Sequence, residues 1–577
     1  MYRKKIWNAV FAVTLSASMS FAPSAVYAQE NESAEEVTEA ADEAAENVTD
    51  DAAENNTQEH EIVLSDEMIT VDGAEITEDV NATVYTGAEI VYYKADQSAV
   101  YGAGSEEDAH SEEEASEHTV VTITQPGTYR VSGSLSKGQI AIDLGEDADE
   151  NPEAVVTLIL DQADITCTVA PCIVVYHAYE CGSDEEETAT KDVDTSAAGF
   201  RLILADDSEN TMNGSYVAKI YKEGTTQEQI DAGEAKKQWK FDATIDSLVS
   251  FEIDGEEKEN GKLLVNAENE GISSGLHMTI NGGEITINAS DDSINTNEDG
   301  VSVFTMNDGI VVCNSGMGAE GDGIDSNGWI VINGGTVLAC ANPTSMDSGV
   351  DSDMGIYLNG GTVLASGNMY DRVEGDSEQP YLVLNFNRTV EADQLLLLKN
   401  SDGEAVAAFS AMNAFTTMVY GSEAITDGDY TLYKVSSVTG DLTGGIYTNI
   451  TAYQDEVQLA YTSNTMMGAG GFGGGQRPDG EAPEPPEGME KPEDFEPDQM
   501  PDGEAPELPE GMEKPEDFEP GQMPDGEAPE PPEGMEKPED FEPGQMPDGM
   551  SEELESNTVF TVNGISNIFA GITEMNE

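Results

Sequence analysis

A chain of 577 residues with 57 Gly, 24 Pro and 24% charged residues reads as folded segments separated by disordered ones. Its formal net charge of −93, from 116 acids against 23 Lys and Arg, argues against nucleic acid or an anionic membrane as partner, because both demand a cationic surface. Cations, or ligands bridged by cations, are the natural partners.

The N-terminus carries Arg3, Lys4 and Lys5, then an apolar run over 6–21, then Val26, Tyr27 and Ala28 at the positions a signal peptidase reads. Residues 1–28 are therefore expected to be a signal peptide cleaved after Ala28. The run is shorter than the roughly 20 residues of a membrane span, and no Cys follows it to take a lipid. The expectation is a secreted, extracellular protein without membrane insertion; retention at the cell surface and oligomeric state are left open. Residues 29–60 form an acidic linker, with twelve acids and no base between Gln29 and Glu59, which buries too little apolar surface to fold.

From residue 61 short β-like runs with turn signals begin, interrupted by a second acidic insert over 105–118. The runs at 120–124, 127–133 and 139–143 alternate apolar and polar residues at period two, as half-buried strands do. No helical stretch is long enough for βαβ units. A second insert over 216–240 breaks the pattern and reads as a loop with a short helix. It concentrates Lys219, Lys222, Lys236, Lys237 and Lys240, so Lys236 and Lys237 are candidate contacts for an anionic ligand. The five cysteines are too few for a disulfide scaffold; a local bridge among Cys167, Cys172 and Cys181 is open, while the odd count argues against complete pairing.

The stretch 271–367 repeats itself. Asn281, Asn307, Asn333 and Asn359 stand 26 residues apart, each preceded by an apolar residue and followed by Gly-Gly or Asp-Gly. A fixed period of this size signals a stacked architecture. Counting back nine residues from Asn281, Asn333 and Asn359 reaches Ile272, Ile324 and Val350, while the Asn307 repeat reaches Ile294 after four extra residues; Ile245 and Asp254 begin a fifth repeat. In this register three columns are wholly apolar: Ile253, Ile280, Met306, Ile332, Leu358; Phe251, Met278, Phe304, Ile330, Ile356; and Leu263, Ile285, Val311, Val337, Val363. Intervening columns accept polar residues. Three short strands per turn, each with one face inward, predict an all-β, single-chain parallel β-helix spanning 61–370, with Asn-Gly-Gly corners tolerating positive φ.

Beyond the repeat, runs at 381–386, 395–398 and 428–433 predict a small antiparallel cap over 371–465, closing an end that would otherwise expose a strand edge. Residues 466–556 form a disordered tail with 23-residue Pro/Glu/Asp repeats, an extended and self-repelling spacer. The last segment, 557–577, is apolar enough for a strand.

Acidic turns enter the first strand of successive repeats, and stacking sets equivalent carboxylates about 4.8 Å apart, where mutual repulsion destabilises them. A bound cation removes that repulsion. Oxygen donors without thiol or imidazole select a hard ion, so Asp291, Asp292, Asp322, Asp325, Asp347 and Asp351 are the candidate ligands for Ca²⁺. Residues 295–300 match only the first half of an EF-hand loop, with Met306 where the loop's last acid belongs. The Gly271-Ile272-Ser273-Ser274-Gly275 match to a nucleophile elbow lacks the following helix. Paired carboxylates suited to glycoside hydrolysis abound and discriminate little. A Ca²⁺-assisted lyase needs a cationic base beside the metal, for which Arg372 and Arg388 are the nearby candidates. Trp329 and Tyr357, in outward columns of neighbouring repeats, are candidate platforms for sugar rings.

The run from Thr124 to Leu135, the segments 156–161 and 204–211, and the Asp-Asp-x-Ile and Asn-Gly-Gly-Thr repeats resemble a family of secreted clostridial carbohydrate-binding proteins with a pectate-lyase-like β-helix, formerly a domain of unknown function. The resemblance covers 62–463. It implies a right-handed, Ca²⁺-containing β-helix that binds acidic polysaccharide such as polygalacturonate, with cellulose as a secondary candidate, and without established lyase activity. The chain departs from the pattern at Asp292-Ser293-Ile294, where Asp-Gly-Ile is usual, and at Ser348 in the acid column. The alternatives are a polysaccharide lyase of pectate-lyase type and a non-catalytic surface adhesion or spacer protein.

Overall fold

The computed structural model describes residues 59–94, 104–222, 224–232, 235–465 and 556–575. The predicted signal peptide, most of the acidic linker and the repeat tail lie outside these residues. What is described is all-β: strands form sheets of 27, nine and two members, and the two α-helices, Glu112–Ser116 and Gln227–Asp231, have five residues each.

The 26-residue period becomes three parallel ladders through which the chain passes in turn. The first holds Ala243–Ser247, Glu270–Ser274, Ile294–Thr296, Ile324–Ser326 and Val350–Ser352. The second holds Phe251–Gly255, Met278–Ile280, Val303–Met306, Trp329–Ile332 and Gly355–Leu358. The third holds Lys262–Ala267, Glu284–Asn288, Ile310–Asn314, Thr336–Cys340 and Thr362–Gly367. Pairing is in register throughout, so Ile245, Ile272, Ile294, Ile324 and Val350 lie over one another, as do the three apolar columns read from the sequence. All these side chains are buried in one continuous core, which is why the repeats hold together: each strand offers too little apolar area to fold alone.

The corners are fixed by two different demands on glycine. The second Gly of each corner has positive φ, 90° at Gly283 and 74° at Gly335. At Gly334 and Gly360 the first is forced by close approach, a Cβ on Gly334 standing 2.2 Å from the Asn307 carbonyl oxygen of the preceding repeat, whereas Asp308 occupies that position at the Asn307 corner. The corner asparagines hydrogen-bond along the stack, each Nδ2 donating to the Oδ1 below: Asn359 to Asn333 (2.9 Å), Asn333 to Asn307 (3.0 Å), Asn307 to Asn281 (2.8 Å), and Asn281 to Asp254 (3.0 Å). A second amide ladder runs at the end of the third ladder, from Asn413 through Asn314, Asn288 and Asn266 to Asn213.

Upstream, Thr119–Ile123, Gly138–Asp143 and Ile173–His177 extend the first ladder in parallel, and Val84–Gly87 ends it antiparallel. The insert over 216–240 is more ordered than a loop: Val217–Tyr221 and Lys237–Phe241 form an antiparallel hairpin around the short helix. In the other acidic insert, Ser111 and Glu114 form a capping box for the helix Glu112–Ser116. Downstream, Thr362–Gly367 pairs antiparallel with Phe415–Ser422, which pairs with Tyr381–Val390, which pairs with Ser566–Glu574. The C-terminal strands therefore continue the large sheet, which is mixed as a whole. The local disulfide left open by the sequence does not form: all five cysteines are free, four of them buried as small apolar side chains.

Ile330 is fully buried in its column, so Ile330→Ala is expected to lower the unfolding free energy by about 3 kcal/mol. Thr305→Ala, on the outward side of the same ladder, should change it by less than about 0.5 kcal/mol. Urea unfolding of the two variants distinguishes core from surface columns, and equal losses would contradict the assigned register.

Candidate functional site

On the first ladder the residue after each buried Ile or Val points outward, and register places Asp246, Ser273, Asn295, Asp325 and Asp351 in one line. Two positions before the same buried residues stand Glu270, Asp292, Asp322 and Ser348. The two columns meet. Carboxylate oxygens of Asp322, Asp325 and Asp351 all lie within 4.8 Å of one another, with each residue partly buried.

Backbone donors orient this cluster. Ser348 N–H donates to Asp322 Oδ1 at 2.6 Å, and Asp322 N–H donates to Asp292 Oδ1 at 2.7 Å. Electrostatics show the strain of the arrangement. Burial, then Asp292 and Asp351, pushes Asp322 up to about 9; burial, then Asp351 and Asp353, pushes Asp325 up to about 7. Asp351 is raised by burial and Asp353, and Asp371, whose carboxylate accepts from Ser352 N–H, reaches about 6. The charges that act most strongly on Asp322, Asp325 and Asp351 are those of neighbouring acids. Three convergent carboxylates in mutual repulsion suit a hard divalent cation with flexible oxygen coordination.

The six aspartates expected from sequence are thus placed unequally. Asp322, Asp325 and Asp351 converge. Asp292 adjoins them, raised well above its ordinary range by burial and then by Asp325 and Asp291. Asp291 is raised by burial and then Glu320. Asp347 instead accepts from the Gly321 N–H at 2.6 Å and from the Ser345 hydroxyl, a turn-capping role.

Sequence reasoning passed over Glu270 as a site residue. It is 5% exposed, and Asn295 Nδ2 donates to its Oε1 at 3.2 Å, yet Glu270 Oε2 and Asn295 Oδ1 have no hydrogen-bond partner among the described residues. The signal was present, since Glu270 stands two residues before Ile272 as Asp292 does before Ile294.

Trp329 and Tyr357 lie on the second ladder, in a different sheet from the acids; Trp329 pairs with Gly355 and Tyr357 with Val331, so the two rings are diagonal neighbours. The Lys191 ammonium sits 4.9 Å from the Tyr357 ring centre. Lys236 and Lys237 belong to the hairpin, whose root places Lys240 in an ion pair with Asp242, beside Asp246 and Glu270. The hairpin therefore stands next to the acid columns. Arg372 is exposed and paired with Glu374, Arg372 Nε lying 3.2 Å from Glu374 Oε1. Ser273 accepts from Asn297 Nδ2 and Ser274 donates to the His277 carbonyl, so the Gly-x-Ser-x-Gly match is turn architecture. Burial presses His277 down to about 4, leaving it neutral.

A family profile described as carbohydrate-binding domain-containing protein matches residues 117–432, more than half of the chain. Among solved structures, the polysaccharide lyase-like protein from C. thermocellum, determined as a gadolinium derivative, is similar over 53% of this chain and 93% of its own length, at 20% identity and a TM-score of 0.29. No curated protein matches the chain.

The raised carboxyls set a pH dependence. Without a cation the folded chain holds protons on Asp322 and Asp325 that the unfolded chain, with the ordinary 3.8, releases. The stability they contribute is full below pH of about 4 and is lost as pH rises through about 7 to 9. In chelator, the melting temperature is expected to fall over that interval, less steeply in Asp325→Asn, and Ca²⁺ should flatten the profile. Identical slopes for the unsubstituted chain and Asp325→Asn would contradict the buried repulsion.

Proposed function

Because the chain belongs to the carbohydrate-binding domain-containing protein family, we propose that it is a secreted, Ca²⁺-dependent binder of acidic plant cell-wall polysaccharide, of polygalacturonate type, whose repeats wind as a right-handed parallel β-helix. The observation that carries the reading is the convergence of Asp322, Asp325 and Asp351. Their donor set is all oxygen, the coordination Ca²⁺ takes, and Asp322 is held in place by Ser348 N–H. Ca²⁺, when bound, supplies the positive charge that a polyanionic surface lacks.

Charge balance makes that cation necessary for an acidic glycan. At −93 the protein repels a polyuronate over any distance the Debye length permits. Asp322, Asp325 and Asp351 would hold such a cation on the outward face of the first ladder, where it would supply positive charge to glycan carboxylates. Binding without catalysis is favoured over a lyase because elimination needs a base beside the metal: Arg372 is committed to Glu374, and Arg388 belongs to the C-terminal strand Tyr381–Val390 and not to the first ladder. The signal-peptide reading of residues 1–28 supports export. No helix among the described residues is long and apolar enough to cross a membrane.

On a polygalacturonate column the full chain is expected to be retained with Ca²⁺ and released by chelator. Asp325→Asn and Asp351→Asn should weaken retention by at least about tenfold, the loss usual when a metal's supporting groups are removed. Retention unchanged by chelator would reject the calcium bridge, and accumulation of unsaturated uronate products would replace binding with lyase activity.

A further inference from the structure

A cavity of about 260 Å³ opens on the outward face of the nine-stranded sheet at its N-terminal end, lined by Tyr85, Val91, Gln139, Tyr176, His177 and Trp239. We propose that it is a pyranose-binding subsite, taking one sugar ring of the same polysaccharide that the aspartate cluster engages. The assignment rests on the carbohydrate reading above and adds a position that neither the repeat nor the acid columns mark.

The aromatic wall is preorganised. Trp239 is carried on the second strand of the hairpin, Lys237–Phe241, and pairs across it with Ile220. Phe241 stacks on the indole at 5.6 Å between ring centres and 29° between planes, while Tyr176, from Ile173–His177, meets it edge-on at 5.4 Å and 74°. The indole is thus braced from two sides and half-buried, and its remaining surface borders the cavity. A braced ring offers apolar contact to a sugar's C–H face without the entropy cost of ordering a loose side chain.

The polar side is equally specific. Gln139 is 2% exposed, and its Nε2 donates to the Pro171 carbonyl at 2.8 Å. That bond fixes the amide orientation, because the flipped group would set two acceptors against each other. Its Oε1 has no hydrogen-bond partner among the described residues and is itself sealed from solvent, while Gln139 as a residue borders the cavity. Asp143 stands on the cavity wall as an acceptor, beside His177, whose Nδ1 lies 3.5 Å from Asp149 Oδ1. A carboxylate and an imidazole on the wall offer hydrogen-bond partners to the hydroxyls of a ring stacked on the indole.

Its place on the sheet connects it to the cation cluster. In register, Tyr85, Thr122, Ala141, Val174, Asp246, Ser273, Asn295, Asp325 and Asp351 form one line across nine strands. Ile173–His177 and Ile324–Ser326 are four strand spacings apart, about 19 Å. A glycan running along this line meets the aromatic cavity first, then the hairpin with Lys237 and Lys240, then the aspartates.

Titration calorimetry of the full chain with hexagalacturonate and with cellohexaose, in Ca²⁺ and in chelator, tests the subsite. Trp239→Ala and, independently, Tyr85→Ala are expected to weaken binding about tenfold while circular dichroism stays unchanged. The loss should persist in chelator on any oligosaccharide still bound there. Should Trp239→Ala disturb the hairpin, Tyr85→Ala, outside it, decides. Undiminished affinity in a folded Tyr85→Ala or Trp239→Ala chain overturns the subsite and leaves calcium-dependent glycan binding standing. If the unsubstituted chain binds neither oligosaccharide under either condition, the carbohydrate reading and the subsite fall together.

Discussion

Parallel in-register pairing at a spacing of about 4.8 Å places like residue over like residue, and the consequences have opposite sign on the two faces of a strand. Inward, Ile272, Ile294, Ile324 and Val350 bury one another and stabilise the stack. At the corners, asparagines pass hydrogen bonds from one repeat to the next. Outward, the same register aligns carboxylates, which repel. A chain that keeps Asp322, Asp325 and Asp351 in that position accepts a local cost in the metal-free state, as functional sites commonly do.

The cost is distributed unevenly along the column. Asn295 and Ser273 interrupt the line of acids, and Ser348 replaces an acid in the parallel column, so charge is concentrated where Asp322 meets Asp325 and Asp351. One repeat earlier, Asp292 and Glu270 share Asn295 as a common donor, a partly neutralised version of the same arrangement. The hairpin rooted at Lys240 and Asp242 adds the positive charge nearest to that end. The face thus grades from aromatic and cationic groups to bare carboxylates, a sequence of surfaces suited to an extended acidic ligand.

Much of this was legible in the sequence because period and register are linked. Equal spacing of Asn281, Asn307, Asn333 and Asn359 fixed the pairing of every apolar column between Phe251 and Leu358, and the four-residue excess before Asn307 was absorbed in the turn over 297–302, as the pairing of Ile294 with Ile324 requires. Side-chain direction inside turns was less legible: Asp347 carries the same residue type as Asp322 but turns to cap Gly321 N–H. Long-range pairing outside the repeat was also hidden. The hairpin strands Val217–Tyr221 and Lys237–Phe241 are joined by a polar segment that carries a short helix instead of a tight turn, and the second amide ladder depends on Asn413 arriving from the C-terminal strands. Trp239 and Gln139 come together only because that hairpin folds over the first ladder, so no local motif announces their cavity.

The central claim is that the carboxylate line is completed by a cation. Diffraction from crystals grown with Ca²⁺, collected to reveal the ion's anomalous scattering, tests it most directly. The account predicts a peak about 2.3 to 2.6 Å from carboxylate oxygens of Asp322, Asp325 and Asp351. Absence of that peak, with the three carboxyl groups sharing protons among themselves, would contradict it.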